Sequence, residues 1–186
     1  MANSLSVPER LANQLHGRKR GDPGAHAEQD FGIRIARDGT WFHQGDPIRR
    51  DALVKLFSTV VHRDVEGAFW LVTPVERGRI EVEDAPFLAV EMSVSGQGRD
   101  QTLSFRTNVD DIVTADGDHP IVVSLDPATG EPSPYVRVRD RLDALLARPV
   151  YYQLVDLAEE RRVAGDMVLG VWSTGTFFVL GPKEAA

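Results

Sequence analysis

The stretch RDGTWFHQGDPIRR, Arg37 to Arg50, decides how this chain is read. Before it, Phe31, Ile33 and Ile35 alternate with polar or small residues, the period-two pattern of a half-buried strand. Asp38-Gly39 then breaks the run, and Asp-Gly between such segments predicts a hairpin with Trp41 opening the return strand. Gly45-Asp46-Pro47 ends that hairpin. A helix is predicted next, with Asp51 as N-cap and Leu53, Leu56, Phe57 and Val60 along one buried face.

Working outward, strands are expected over Ala68 to Val75, Arg79 to Asp84, Phe87 to Ser95 and Gln101 to Arg106, with a hairpin loop at Gly96 to Asp100. Ile121 to Leu125 and Tyr135 to Arg139 flank a Pro- and Gly-containing loop and form a second hairpin. A second helix is predicted near Asp140, with Leu142, Leu145 and Leu146 inward and Pro149 at its end. Strands Val150 to Val155, Met167 to Ser173 and Thr176 to Leu180 follow, the last two joined at Thr174-Gly175. Toward the N-terminus, Ser6 to Leu15 has capping-box spacing for a short helix, and His16 to Asp30 has linker composition. The expected organisation is a helix and linker over 1–30, an α+β half over 31–100 and a β-rich half with one helix over 101–186. Both halves run hairpin, helix, strands, so the fold class is α+β, mostly antiparallel, with duplication at the level of element order. A crevice between two such halves is the expected binding site.

Composition narrows the function classes. The chain has 186 residues, 42% hydrophobic and 26% charged, which is ordinary for a globular protein with a full core. Its formal charge of -7 and pI near 5.2 argue against a reader of duplex nucleic acid, which needs Lys and Arg to neutralise phosphates. No run reaches the length of apolar residues that a membrane span needs, and MANSLSVPERLANQL lacks the pattern of a secretory leader, so a cytoplasmic location is expected. Without cysteine there is no disulfide, thiol nucleophile or thiolate-bound zinc.

Catalytic templates find no support. Gly96-Gln97-Gly98 precedes a strand rather than a helix, and no GxxxxGK[ST] or GxSxG stretch occurs. Asp116-Gly117-Asp118-His119 is explained by turn chemistry and matches no calcium loop, and the five histidines are scattered, so neither a metal nor a cofactor is expected. Glu83 and Asp84 stand just before Ala85-Pro86-Phe87, where the backbone must bend, and are the candidate carboxylates for acid-base work. Trp41 and His43 share one face of the return strand; either they are core and turn, or Trp41 stacks on a planar ligand while His43 donates a hydrogen bond and Arg49 and Arg50 meet an anion.

Several separated blocks, in order, carry a resemblance: DGTWFHQGDPIRR (Asp38 to Arg50), LVTPVE (Leu71 to Glu76), IEVEDAPF (Ile80 to Phe87), FRTNVDD (Phe105 to Asp111) and the Asp116-x-x-His119-Pro120 turn. Together they resemble the proteobacterial domain-of-unknown-function family 1285 from about Phe31 to Leu180. The resemblance implies a duplicated core, a C-terminal half superficially like pleckstrin-homology folds, and a site between the halves for a nucleotide-like ligand in signalling. By position it would bring Trp41, His43, Arg49, Thr73, Glu83, Asp84, Arg106 and Asn108 to that site.

The function expected from all this is non-catalytic: a regulatory or signalling protein binding a small anionic, nucleotide-like molecule. One alternative is a hydrolase using Glu83 or Asp84. Another is a protein-interaction module whose C-terminal aromatics Trp172, Phe177 and Phe178 are otherwise core or a homodimer contact.

Overall fold

A computed structural model describes residues 29–182. The Ser6 to Leu15 helix and all but the end of the His16 to Asp30 linker expected above lie outside the described residues. The chain divides into two units, Met1–Glu83 and Asp84–Ala186.

In the N-terminal unit the order is β1 (Gln29–Ile35), β2 (Trp41–His43), β3 (Asp46–Pro47), α1 (Asp51–Ser58), β4 (Val61–Arg63), β5 (Phe69–Val72) and β6 (Arg77–Val82). They form one six-stranded sheet, β3-β2-β1-β6-β5-β4, antiparallel except for its central pair, where β1 runs parallel to β6. The predicted hairpin is there: Ala36 N–H donates to Thr40 O, and the Asp38 carboxylate accepts from Thr40 N–H at 2.9 Å. Gln44 and Gly45 both have positive φ, which suits the two-residue turn from β2 to β3. Phe31, Ile33, Ile35, Trp41, Phe57, Leu71 and Ile80 are buried and make the core of this unit. Helix α1 differs in its start. Arg50 is the N-cap, no side chain caps the helix, and Asp51 is its first residue, a position where its charge favours the N-terminal dipole.

The C-terminal unit contains β7 (Phe87–Ser95), a 3-10 turn (Gly98–Asp100), β8 (Thr102–Thr107), β9 (Ile112–Thr114), β10 (Ile121–Leu125), β11 (Pro132–Arg139), β12 (Leu142–Leu146), α2 (Arg148–Asp156), β13 (Glu159–Val163), β14 (Asp166–Ser173) and β15 (Thr176–Pro182). Strands β7 to β12 form a second six-stranded sheet, β10-β11-β12-β7-β8-β9, again antiparallel but for a central parallel pair, β12 with β7. Counted within its own unit, each sheet has the same order: third, second, first, sixth, fifth, fourth strand. The duplication therefore lies in sheet connectivity. The helices do not repeat, because α1 links the third and fourth strands of its sheet whereas α2 follows the sixth strand of the other. Where the first unit has α1, the second has the Asp116 to Pro120 turn, with the Asp116 carboxylate accepting from the N–H groups of Asp118 and His119.

Three expectations need correction. The division falls after Glu83 and not after residue 100, because β7 pairs with β8 and β12 of the C-terminal unit. Leu142 to Leu146 is a strand and not a helix: β12 lies between β11 and β7, and Leu142, Ala144, Leu145 and Leu146 are all buried. A central strand covered on both faces gives a continuous apolar run that periodicity cannot separate from a helix. Val150 to Val155, expected as a strand, belongs to α2, in which Pro149 sits in the first turn and starts the helix instead of ending its predecessor.

Strands β13, β14 and β15 form a separate antiparallel meander, β14 and β15 being joined through Thr174 and Gly175 at positive φ. A buried polar latch ties that turn to the second sheet. Ser173 Oγ accepts from Leu103 N–H at 2.9 Å and donates to Ala115 O at 2.6 Å, and Gln101 Nε2 donates to Trp172 O at 2.9 Å. Ser173 is fully buried, so Ser173→Ala strands the Leu103 N–H away from water. We expect a loss of about 1–3 kcal/mol, read as a lower denaturant midpoint with an unchanged slope.

Candidate functional site

In the N-terminal unit a cleft of ≈ 520 Å³ crosses the central strands. Its walls come from β1 (Asp30, Gly32, Ile33, Arg34), the start of β5 with the preceding turn (Gly67, Ala68, Phe69), β6 (Arg79, Ile80, Glu81, Val82) and the β2–β3 turn at Gly45. Sequence dictates this mixture. Strand β6 alternates, Gly78 and Ile80 buried, Arg77, Arg79 and Glu81 exposed, so its charged residues share one face. Gly32, Gly45 and Gly67 all have positive φ, and at Gly45 an added Cβ would meet nothing within 4 Å.

Within the cleft, Arg34 is already engaged: its guanidinium donates to Glu83 and lies 4.2 Å from the Phe42 ring centroid. The Asp30 carboxylate accepts from Gly32 N–H at 2.8 Å. Arg79 and Glu81 have no side-chain hydrogen bond or ion pair among the described residues. Next to the cleft, the Trp70 indole N–H donates to Asp64 at 2.7 Å and Arg77 stacks 3.9 Å from the Trp70 ring. That indole hydrogen bond is the main reason the Asp64 carboxyl is held below the usual range.

The eight residues singled out from sequence are divided, Trp41, His43, Arg49, Thr73 and Glu83 in the N-terminal unit, Asp84, Arg106 and Asn108 in the C-terminal one. Trp41 is a core residue, 1% exposed and stacked on Phe57 of α1 with centroids 6.4 Å apart, so its ring faces are closed to a ligand. The stacking role is corrected on that ground. His43 is half-buried on β2 and Arg49 is exposed. Thr73 closes its own turn, its hydroxyl accepting from Glu76 N–H at 3.0 Å. Glu83 pins the β1–β2 hairpin, accepting from Arg34 and, at 3.0 Å, from Arg37 N–H.

In the C-terminal unit Asp84 accepts from the Tyr135 hydroxyl at 2.7 Å. Asn108 completes a strand-like pair with Leu88, its Oδ1 accepting from Leu88 N–H at 3.0 Å while its own N–H donates to Leu88 O at 2.8 Å. Arg106 is held by Glu91 at 2.7 Å and Asp110 at 3.1 Å, and Glu91 above all raises its pKa. An anion would have to displace both carboxylates, so Arg106 is a brace in this unit. Trp172 and Phe178 are buried, and Trp172 is covered by Arg99 and Arg161 with ring-centroid distances of 4.8 and 4.6 Å. The described residues contain no group of three or more His, Asp or Glu arranged to hold a metal.

Sequence reasoning passed over Asp30, Arg34 and Arg79. The signal was present in ERGRIEVE, Glu76 to Glu83, where alternation puts Arg79 and Glu81 on one face of a strand.

The class these features define is an α+β protein of two tandem units, each built on one repeated sheet connectivity, with a charged cleft in the first. The chain belongs to the DUF1285 family: residues 22–85 match the model described as domain of unknown function (DUF1285), N-terminal domain, and residues 86–180 match protein of unknown function (DUF1285), C-terminal domain. The boundary between the two matches lies within two residues of the division between the units. Among solved structures, a DUF1285 family protein from Silicibacter pomeroyi DSS-3 is similar at 46% identity and TM-score 0.78, over 92% of this chain and 94% of that one. Another, from Shewanella baltica OS155, is similar at 25% identity and TM-score 0.52, over 67% of this chain and 91% of that one. No curated protein matches the chain. No helix among the described residues is long and apolar enough to cross a membrane.

Proposed function

We propose that this protein is a non-catalytic, regulatory binding protein of the cytoplasm that takes a small anionic molecule in the cleft of its N-terminal unit. The supporting observation is Arg79. Arg79 lines a ≈ 520 Å³ cleft, and its guanidinium meets no acceptor among the described residues. A guanidinium presents a planar fork of donors suited to carboxylate and phosphate, so in the cleft it gives an anionic ligand a charge partner. A phosphate of a nucleotide-like molecule falls within the same chemistry. The alternative of a hydrolase has less support, since Glu83 and Asp84 both serve hydrogen bonds within their own units.

A melting screen of the full chain against nucleotides, organic phosphates and carboxylates tests this reading. A ligand at about 100 times its Kd adds about 2.7 kcal/mol of stability, which raises Tm by roughly 5–10 °C in a protein of this size. Arg79→Gln removes an exposed charge with no partner, so we expect the unliganded melt to stay put and the ligand-induced rise to disappear. If no anion shifts the parent protein, or if Arg79→Gln responds like the parent, the reading fails.

A further inference from the structure

We infer that the ligand of the cleft is amphoteric, carrying an anionic group for Arg79 and a cationic ammonium for Glu81, as free amino acids and short peptides do. This rests on the anion-binding reading above and adds a second, opposite charge to it.

The register of the central parallel pair carries the argument. Across β1 and β6, Asp30 stands beside Arg79 and Arg34 beside Glu81. Two acid–base pairs are therefore set side by side at about 4.8 Å strand spacing, the arrangement in which cross-strand ion pairs ordinarily close. Neither pair closes. Asp30 turns to the Gly32 N–H at 2.8 Å, within the bulge that shifts the register between Asp30 and Arg34. Arg34 reaches past Glu81 to Glu83 and packs on Phe42. The result is one guanidinium and one carboxylate, two residues apart on the same strand face, both lining the cleft and both without a side-chain partner among the described residues.

Those two groups do not pair with each other. A ligand with both charges answers both side chains at once. A purely anionic molecule would instead place negative charge near Glu81 and Asp30, where like charges oppose binding. The cleft contains two arginines and two acids, so its charge balance favours a neutral zwitterion over a dianion.

The test is calorimetric titration of the full chain with a panel of free α-amino acids and dipeptides. For each compound that binds, the matched analogue without its amino group and the matched analogue without its carboxylate are titrated too. The zwitterion should bind at least about tenfold more tightly than either analogue, a difference of about 1.4 kcal/mol. Glu81→Gln should bring the zwitterion down to the level of its des-amino analogue and leave that analogue unaffected, whereas Arg79→Gln should weaken both. If the des-amino carboxylate binds as tightly as the zwitterion, or Glu81→Gln changes both compounds equally, the amphoteric ligand is refuted while anion binding stands. If no amino acid or dipeptide binds but an organic phosphate does, the amphoteric ligand is likewise refuted. If no anion of any kind binds, the underlying reading falls with it.

Discussion

Trp41→Ala unfolds the N-terminal unit more readily by about 3–5 kcal/mol, the cost of removing a large aromatic side chain from a packed core. The indole is 1% exposed, faces Phe57 of α1 and shares the buried side of the sheet with Ile35, its register partner on β1. Its removal leaves a void that the short helix and the central strand cannot both move to fill, since β1 is held by β2 on one side and β6 on the other. Part of the loss is offset, because the Trp41 indole N–H is buried without an acceptor among the described residues, and the variant no longer buries it. Trp41→Phe, which keeps a ring and drops that N–H, should therefore cost much less than the alanine variant. Chemical denaturation of the three proteins checks the order. A Trp41→Ala protein of parental stability that has lost only ligand-induced stabilisation would overturn the core assignment and return Trp41 to the surface of a site.

The contrast between Trp41 and Arg79 shows what a single sequence makes legible. Period-two alternation located β1, bounding turns located β7 and β10, the Asp38-Gly39 turn located the first hairpin, and Thr174-Gly175 located the last, because each is decided by residues a few positions apart. Elements decided by distant partners were not legible. Strand β12 is apolar on both faces because β7, more than fifty residues earlier, runs beside it, and nothing within Leu142 to Leu146 reports that neighbour. The parallel pairing of β1 with β6 was equally hidden, and with it the cleft, since only that register sets Asp30 beside Arg79 and Arg34 beside Glu81. Sequence drew attention to residues beside turns, and many of those, including Thr73, Glu83 and Asn108, turned out to satisfy the backbone at those very bends. Polar residues close bends because backbone groups there lose their ladder partners, so density of polar groups near Gly and Pro reports turn chemistry first.

Gly170→Ala carries a large expected effect in the C-terminal unit. A Cβ at this position would stand 2.5 Å from the Phe178 carbonyl oxygen and 2.5 Å from Cζ of Phe177. The first of these is backbone and is held in the β14–β15 ladder, so it does not rotate away as a side-chain end would. Gly170 also sits at the register shift between Leu169 and Gly170, where β15 carries an extra residue, Leu180, and where β14 passes from its more exposed outer half into the buried run of Gly170, Val171, Trp172 and Ser173. Adding one methyl group there forces the ladder apart beside Trp172, whose ring packs edge-on against Phe177 at 5.2 Å between centroids. Overpacking of this kind costs about 1–3 kcal/mol, and a clash with backbone puts Gly170→Ala at the upper end of that range. Loss of Trp172 protection should accompany it, since the indole is 8% exposed and stands next but one to the substituted position. Near-ultraviolet circular dichroism and hydrogen exchange of the Leu103 amide, which the neighbouring Ser173 hydroxyl accepts, read both effects. An alanine variant with parental stability and an unchanged exchange rate at Leu103 would mean that β14 has room at this bend, and that the close approach of β14 to β15 is not what requires glycine there.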